Sequence, residues 1–332
     1  MDHSHIDESA QPAGSAATTP RIARLGSWPT PLEPAPRLAE RIGLRPGDLW
    51  IKRDDLTGLA GGGNKVRKLE HTAGAALAAG ADTLVTTGAA QSNHARSTAA
   101  AAARLGLRCL LVLAGEPPPV PVGNLVLDHL LGAELHWAGP ADDAALDARA
   151  AELAAALRAG GRSPYLVPFG GSGPIGSRGY LDCARELTEQ APDLVHAVVS
   201  VGSGGTMAGL VAGLGAERVL GVDSGAVADP ARRVREMVTA LGGSPDGLRL
   251  RGDQVGEGYG TLTDAARRAM SDLARTEGLA LDPVYTAKAF AGLTAAVLEG
   301  EIRPGQRTVF VHTGGLPGLF GHSYAAELGS DD

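Results

Sequence analysis

Residues 52–70 read KRDDLTGLAGGGNKVRKLE. Gly61, Gly62 and Gly63 run directly into Asn64 and Lys65, and Val66, Leu69, Ala73, Ala76 and Leu77 then recur at the spacing of one helical face. Asn64 stands where a helix N-cap is expected, which puts Lys65 in the first turn, directly after the most flexible point of the chain. A lysine there can clamp a phosphate, carry surface charge beside Arg67 and Lys68, or anchor a ligand covalently. A Walker A loop is excluded, because that motif needs Ser or Thr after its lysine and Val66 follows here. A covalent anchor must shed its proton, so its pKa has to fall from about 10.4 toward neutrality. Partial burial, nearby cations and the positive end of the helix dipole all push that way.

Outward from this stretch, strand-like and helix-like patterns alternate to the end of the chain. DTLVTTG, RCLLVLAG, AELHWAG and SPYLVPFG read as strands, followed later by HAVVSVGSGG, ERVLGVDSG and RTVFVHTGG. Helical patterns separate them, among them QSNHARSTAAAAARLG, ADDAALDARAAELAAALRAG, SRGYLDCARELTEQ and TAKAFAGLTAAVLEG. This alternation predicts an α/β fold of right-handed βαβ units with mainly parallel sheets. In such sheets ligands sit at the carboxyl ends of strands, where loops enter helices. Glycine-rich or polar turns stand at that place in TTGAAQSNH, VPFGGSGPIG, SVGSGGTMAG, VDSGA and HTGGLPG. Together with the opening stretch they predict a crevice lined by backbone amides.

The chain has 332 residues, enough for two domains or one large two-lobed unit. Its net charge of −7 gives no basic surface for nucleic acid or an anionic membrane. Apolar runs reach strand length and fall short of the ~20 residues of a membrane span. Cys109 and Cys183 show no metal-ligand spacing and are expected to be core thiols of a reducing compartment. Residues 1–20 are polar, rich in Ala, Ser and Pro, and lack a signal peptide's pattern, so a disordered tail and a cytoplasmic protein are expected. No metal site is expected.

Three further motifs carry chemistry. In AVVSVGSGGTMAGL an apolar strand ends at Val201, and Gly202, Ser203, Gly204, Gly205 and Thr206 turn into a helix. Glycines let backbone amides approach an anion closely and the helix N-terminus favours negative charge, so the turn reads as a phosphate cup. A dinucleotide loop competes with this reading, since the spacing is GSGGT and GxGxxG alone is a weak signal. GAAQSNHARS places Gln91, Ser92, Asn93 and His94 at one helix start, where capping needs only one of them. His94 is expected to pack rather than to act as a base. Tyr259 in GEGYGTL and Tyr285 in LDPVYTAK lie in turns framed by Gly or Pro, although the chain has only five tyrosines, and VHTGGLP ends the last strand on Thr313.

Taken together, KRDDLTGLAGGGNKVRKLE, GAAQSNHARSTAA, GYLDCARE, VGSGGTMAGL, LDPVYTAKAFAGL and HTGGLPGLF resemble the pyridoxal-phosphate enzymes of the tryptophan-synthase-β fold, fold type II. The narrower resemblance is to the branch holding D-cysteine desulfhydrase, 1-aminocyclopropane-1-carboxylate deaminase and L-cysteate sulfo-lyase. It covers about residues 21–325. It implies pyridoxal 5'-phosphate carried on Lys65, with the phosphate in the loop 202–206, Asn93 on the phenolic oxygen and Ser92 beside the substrate carboxylate. It also implies active-site roles for Tyr259 and Tyr285, and Thr286 or Thr313 at the pyridine nitrogen. The implied architecture is a small lobe of residues 64–171 inserted between residues 21–63 and 172–330 of a larger cofactor-binding lobe, in a homodimer. The three glycines then read as room for a flat ring and for a lysine that swings during turnover.

The resemblance also orders the reactions. Ring-opening deaminases carry glutamate where Thr286 stands here, and a carboxylate at the pyridine nitrogen favours a strong electron sink. A threonine hydroxyl suits substrates that already hold a good leaving group on Cβ, which implies β-elimination, with D-cysteine the best guess. L-cysteate sulfo-lyase and the cyclopropane deaminase are the alternatives within enzymes, and a nucleotide-binding protein is the alternative of another class. Two loops depart from the desulfhydrase pattern, GGSGPIG at Gly173 and GYGTLT at residues 261–263.

Overall fold

The computed structural model describes residues 22–329, and the expected tail of residues 1–20 lies outside them. Among the described residues, ten strands form two sheets. Four of them, β3 (Thr83–Ala89), β4 (Arg108–Ala114), β5 (Glu134–Trp137) and β6 (Pro164–Leu166), make a parallel sheet in the order β5-β4-β3-β6. The other sheet has six strands, β1 (Leu32–Pro34), β2 (Leu49–Lys52), β7 (His196–Val201), β8 (Val219–Asp223), β9 (Arg249–Arg251) and β10 (Thr308–Val311), ordered β1-β2-β10-β7-β8-β9. All its pairings are parallel except β1 on β2. The strands of the four-stranded sheet are consecutive in the chain, and those of the six-stranded sheet come from both sides of them.

Twelve α-helices accompany the strands among the described residues. They are α1 (Pro36–Ile42), α2 (Lys65–Ala78), α3 (Asn93–Leu105), α4 (Asn124–Leu130), α5 (Asp143–Ala159), α6 (Pro174–Gln190), α7 (Gly205–Leu214), α8 (Pro230–Ala240), α9 (Asp264–Glu277), α10 (Thr286–Leu298), α11 (Leu316–Gly321) and α12 (Ala325–Leu328). Central strands such as β7 and β10 are buried along their whole length, as both-faced burial of a parallel sheet requires. Alternate residues serve opposite cores. Phe310 packs with Phe290 and Leu293 of α10, while Val309 and Val311 pack with Met207 and Leu210 of α7. Helices α6 and α7 approach so closely that a Cβ on Gly209 would lie 2.4 Å from the Cβ of Tyr180. Among the described residues no helix is long and apolar enough to cross a membrane. Cys109 and Cys183 are both buried, free thiols, with burial raising the pKa of each.

The charges of the 52–70 stretch are structural. Arg67 of α2 is 2% exposed and Asp54 is fully buried. The guanidinium donates Nε and Nη2 to both oxygens of Asp54 at 2.8 Å and also reaches Glu186 of α6 at 2.8 Å. Tyr180 donates its hydroxyl to Asp54 at 2.6 Å, and Lys52 meets Glu186 at 2.6 Å. The guanidinium also lies 4.2 Å from the ring centre of Trp28. Burial raises the pKa of Asp54, but the opposing charge and hydrogen bonds of Arg67 outweigh it and leave the carboxyl below its ordinary range.

Breaking this network from one side leaves an uncompensated charge. Asp54→Asn is expected to cost about 3–5 kcal/mol in urea unfolding, whereas Arg149→Ala, which breaks an exposed pair with Glu152, should cost less than about 0.5 kcal/mol. Because the folded carboxyl is depressed, its contribution is present above the ordinary aspartate value of about 3.9 and is lost as the pH falls from there through the folded value. The Asn variant should lack that part of the acid dependence.

Candidate active site

The carboxyl ends of β3, β4, β7 and β10 open on one cavity, reached by Gly88, Ala114, Ser200 and Thr313 respectively. Lys65 lies in its wall at the first position of α2. The helix starts there because Asn64 is pinned from two sides. Its N–H donates to the carbonyl of Thr313 at 3.0 Å, and its Nδ2 donates to Thr206 Oγ1 at 3.0 Å. Asn64 therefore does not cap the helix through its side chain, contrary to the sequence expectation. Its amide instead ties the lysine's turn to the loop 202–206.

Gly61, Gly62 and Gly63 do not line the cavity, which corrects the reading of them as room for a ring. All three have φ between 67° and 108°, and a Cβ on Gly62 would sit 2.0 Å from the carbonyl oxygen of Asp55. They let the backbone turn tightly enough to aim α2 at the cavity. Arg96 holds this turn, donating to the carbonyls of Ala60 and Gly62 at 2.9 Å.

Lys65 Nζ donates to the carbonyl of Gly170 at 3.2 Å. Its pKa is lowered to about 8, chiefly by burial and further by the positive charge of Arg96, while a hydrogen bond with Lys68 opposes the shift. The amine is therefore substantially neutral in mildly alkaline water, where a surface lysine is charged. Lys68, one turn on, is 1% exposed, and burial together with the nearby Lys65 pushes its pKa well down. Its Nζ donates to Ser172 Oγ at 2.9 Å, and Ser172 Oγ meets Ser203 Oγ at 2.7 Å. A latent cation thus stands behind the loop 202–206, ready to be charged by an anion there. Neither Lys68 nor Ser172 was singled out in the sequence. The signal available was scarcity, since the chain has only four lysines, at 52, 65, 68 and 288.

Gly202, Ser203, Gly204 and Thr206 line the cavity at the N-terminus of α7. Gly205 does not, and its N–H is taken by Ser172 Oγ at 3.1 Å, so the sequence assignment of Gly205 as a contact is corrected. Ser92 and Asn93 also line the cavity. Ser92 caps α3 by accepting from the Ala95 N–H at 3.1 Å. Asn93 Oδ1 accepts from Asn124 Nδ2 at 3.0 Å and lies 3.5 Å from Arg96 Nη2. That leaves the amide Nδ2 of Asn93 as its donor toward a ligand. His94 is buried and neutral, its pKa lowered by burial and by Lys65 and Lys68. Thr86 spends its proton on the Val167 carbonyl at 2.9 Å, so His94 Nε2 must donate to Thr86 Oγ1.

Tyr259 and Tyr285 form a further part of the wall, hydroxyl to hydroxyl, with ring centres 5.7 Å apart at 68°. Burial raises the pKa of Tyr259 to about 12 and that of Tyr285 well above its ordinary value, so both phenols keep their protons at neutral pH. Thr313 lines the cavity, whereas Thr286 does not. Thr286 is fully buried and its hydroxyl donates to Asp282 Oδ1 at 2.7 Å. The expectation that Thr286 faces a ligand is therefore corrected, because its hydroxyl closes the turn before α10.

A hydroxyl-lined helix N-terminus and a buried amine of lowered pKa on one cavity make a cradle for an aldehyde phosphate. A Cβ on Gly170 would lie 2.2 Å from Ser203 Oγ, and one on Gly202 would lie 3.0 Å from the ring of Tyr285, so side chains at either position would fill it. The chain's comparisons agree. A family model described as pyridoxal-phosphate dependent enzyme matches residues 23–314. D-cysteine desulfhydrase of Klebsiella pneumoniae subsp. pneumoniae is 41% identical over 323 residues, 91% of this chain and 96% of that protein. A Pyrococcus abyssi relative with the provisional name 1-aminocyclopropane-1-carboxylate deaminase is 41% identical over 315 residues, 91% of this chain and 93% of its own length. A solved structure described as an ACC deaminase homologue superposes with a TM-score of 0.84 at 38% identity, covering 93% of this chain and 95% of that one. The chain belongs to the family of pyridoxal-phosphate dependent enzymes. Its fold is the two-sheet α/β fold of that family's type II members, and pyridoxal 5'-phosphate is its cofactor.

The depressed amine can be read directly in cofactor-free protein. Acetic anhydride should label Lys65 ahead of Lys68, with a rate half-maximal near pH 8 and falling about tenfold per pH unit below it. Peptide mass spectrometry checks this, and a rate still rising beyond pH 10 would contradict it.

Proposed function

We propose that the protein is a lyase that eliminates the β-substituent of an amino acid, with D-cysteine and water giving pyruvate, ammonia and hydrogen sulfide. The observation that carries this reading is that the buried amine of Lys65 and the hydroxyl-to-hydroxyl pair of Tyr259 and Tyr285 line one cavity, with the pKa of the amine lowered to about 8. Elimination needs a base at Cα and an acid at the departing sulfur, and these groups supply one of each. The relatives named D-cysteine desulfhydrase support the choice of substrate.

When bound, the cofactor withdraws the electron pair released at Cα. Lys65 would hold it covalently, and the same amine would serve as the base for the Cα proton. Gly202, Ser203, Gly204 and Thr206 hold the phosphate with backbone amides, hydroxyls and the α7 dipole, and Lys68 adds charge through Ser172. Asn93 donates to the phenolic oxygen. Ser92, at the start of α3, receives the substrate carboxylate. Thr313 offers the ring nitrogen a neutral hydroxyl. Asp143 is the one carboxylate among the cavity's described residues, and it stands at the start of α5. A hydroxyl partner leaves the nitrogen uncharged, which suits a good leaving group better than a ring that must be opened. Tyr285, hydrogen-bonded to Tyr259, passes a proton to the leaving sulfur.

In this reading residues 64–171 form a small lobe inserted in a larger one made of residues 21–63 and 172–330, and the cavity lies between them. The protein works in the cytoplasm as a homodimer. Two buried thiols suit a reducing compartment, and the dimer rests on the family resemblance. Sedimentation at the mass of a single chain would count against it.

Purified protein should be yellow and release pyruvate from D-cysteine, with little from L-cysteate and no 2-oxobutanoate from 1-aminocyclopropane-1-carboxylate. Lys65→Ala should abolish both colour and turnover, and Tyr285→Phe should lower kcat by roughly a hundredfold with the colour kept. Turnover of D-cysteine by Lys65→Ala, or preferred turnover of the cyclopropane amino acid, would overturn the reading.

A further inference from the structure

Lys288 has no place in the chemistry above, yet it is fully buried. It lies on α10 three residues after Tyr285. Its Nζ meets four backbone carbonyls, those of Val255 and Gly258 at 2.9 Å and of Ser224 and Tyr259 at 3.2 Å. Among the described residues no carboxylate forms an ion pair with it within 4.0 Å. An ammonium has three protons, so four oxygens around it form a cage of dipoles that shares one charge. Three of the four belong to the segment 255–259, which carries Tyr259 into the cavity wall.

That segment has little backbone structure of its own, although Val255 and the backbone of Tyr259 pack on Gly225. It contains no helix or strand, and within residues 252–262 the one backbone–backbone hydrogen bond is Thr261 N–H to the carbonyl of Gly258 at 3.2 Å. Gly258 and Gly260 have nothing within 4 Å of where a Cβ would stand, so packing does not fix them. The Tyr259 hydroxyl nevertheless meets that of Tyr285, which is set by the rigid start of α10. Asp282 fixes that start, accepting from the N–H groups of Val284, Tyr285 and Thr286 at 2.8–3.0 Å. One phenol of the pair is therefore carried on a secured helix end and the other on a loop whose backbone carbonyls an ammonium gathers to that helix.

We infer that Lys288 is the positioning residue of the two-tyrosine wall: its ammonium fastens the 255–259 loop to the helix that carries Tyr285, and so holds Tyr259 against its partner. The part of this claim that concerns turnover rests on the reading in which both phenols serve the substrate. The part that concerns the loop does not. Nearby Asp223 and Asp282 favour the ammonium's charge, but burial outweighs them and lowers its pKa. The cage of carbonyls is what keeps a proton there worthwhile.

The test compares cofactor-loaded wild type, Lys288→Ala and Lys288→Met by hydrogen exchange, absorbance and turnover. Both variants should stay yellow. Amides of residues 255–260 should exchange roughly tenfold or more faster, with those in the middle of α10 unchanged. The kcat for D-cysteine should fall roughly tenfold or more, with KM moving less. Methylammonium should restore loop protection and turnover to Lys288→Ala and not to Lys288→Met, which fills the space, and tetramethylammonium, without N–H donors, should restore neither. Adding Tyr259→Phe to Lys288→Met should cost little more, since a displaced phenol is already lost. Unchanged exchange in the loop, or losses that add fully in the double variant, would overturn the inference. So would variants that fail to fold with and without methylammonium, because Lys288 would then support the whole fold rather than one wall. A wild-type protein that releases no pyruvate would count against the functional reading, and the exchange arm would still decide the positioning claim.

Discussion

The buried pairing of Arg67 with Asp54 and Glu186 is the constraint on which the site depends. It locks α2, which begins at Lys65, to the turn after β2 and to α6. Two charges taken out of water are costly unless each lone pair and proton finds a partner. Here Tyr180, Thr30 and Lys52 complete the set. A fully satisfied network of this kind admits one arrangement of its elements and penalises others. The lysine two residues before Arg67 inherits that rigidity, and the glycine turn ahead of it, held by Arg96, fixes its direction of entry.

With the backbone fixed, desolvation does the chemical tuning. The same burial that lowers the pKa of Lys65 raises that of Tyr259 and Tyr285. A base and an acid are therefore available at one pH from groups that in water would both be protonated, one as a charged ammonium. Lys68, which shares the Gly170 carbonyl with Lys65, and the helix dipole of α7 leave the loop 202–206 short of negative charge, which a phosphate supplies.

Much of this was legible in the sequence because the chain marks it locally. Long apolar strands such as β3, β4 and β7, each ending in a glycine or polar turn, gave both the parallel sheets and the side of them on which ligands bind. The misses have local causes of another kind. Strands β1 and β9 are three residues long and exist through pairing with β2 and β8, so no periodicity announces them. Thr286 and Gly205 sit within motifs that look like ligand contacts, but Asp282 and Ser172 claim their polar groups. Sequence spacing cannot show a competitor that arrives from another turn. Lys68 and Arg67 read as surface charge beside Lys65, because burial of a charge becomes visible only with its partners. Residue scarcity was a better guide: in a chain with four lysines, each position carries information.

The central claim is that Lys65, and no other amine, carries the cofactor. Borohydride reduction of the yellow protein, followed by digestion and peptide mass spectrometry, tests it most directly. The account predicts the pyridoxyl phosphate mass on Lys65, with Lys52, Lys68 and Lys288 unmodified. The same mass on Lys68, or on none of the four lysines, would contradict it.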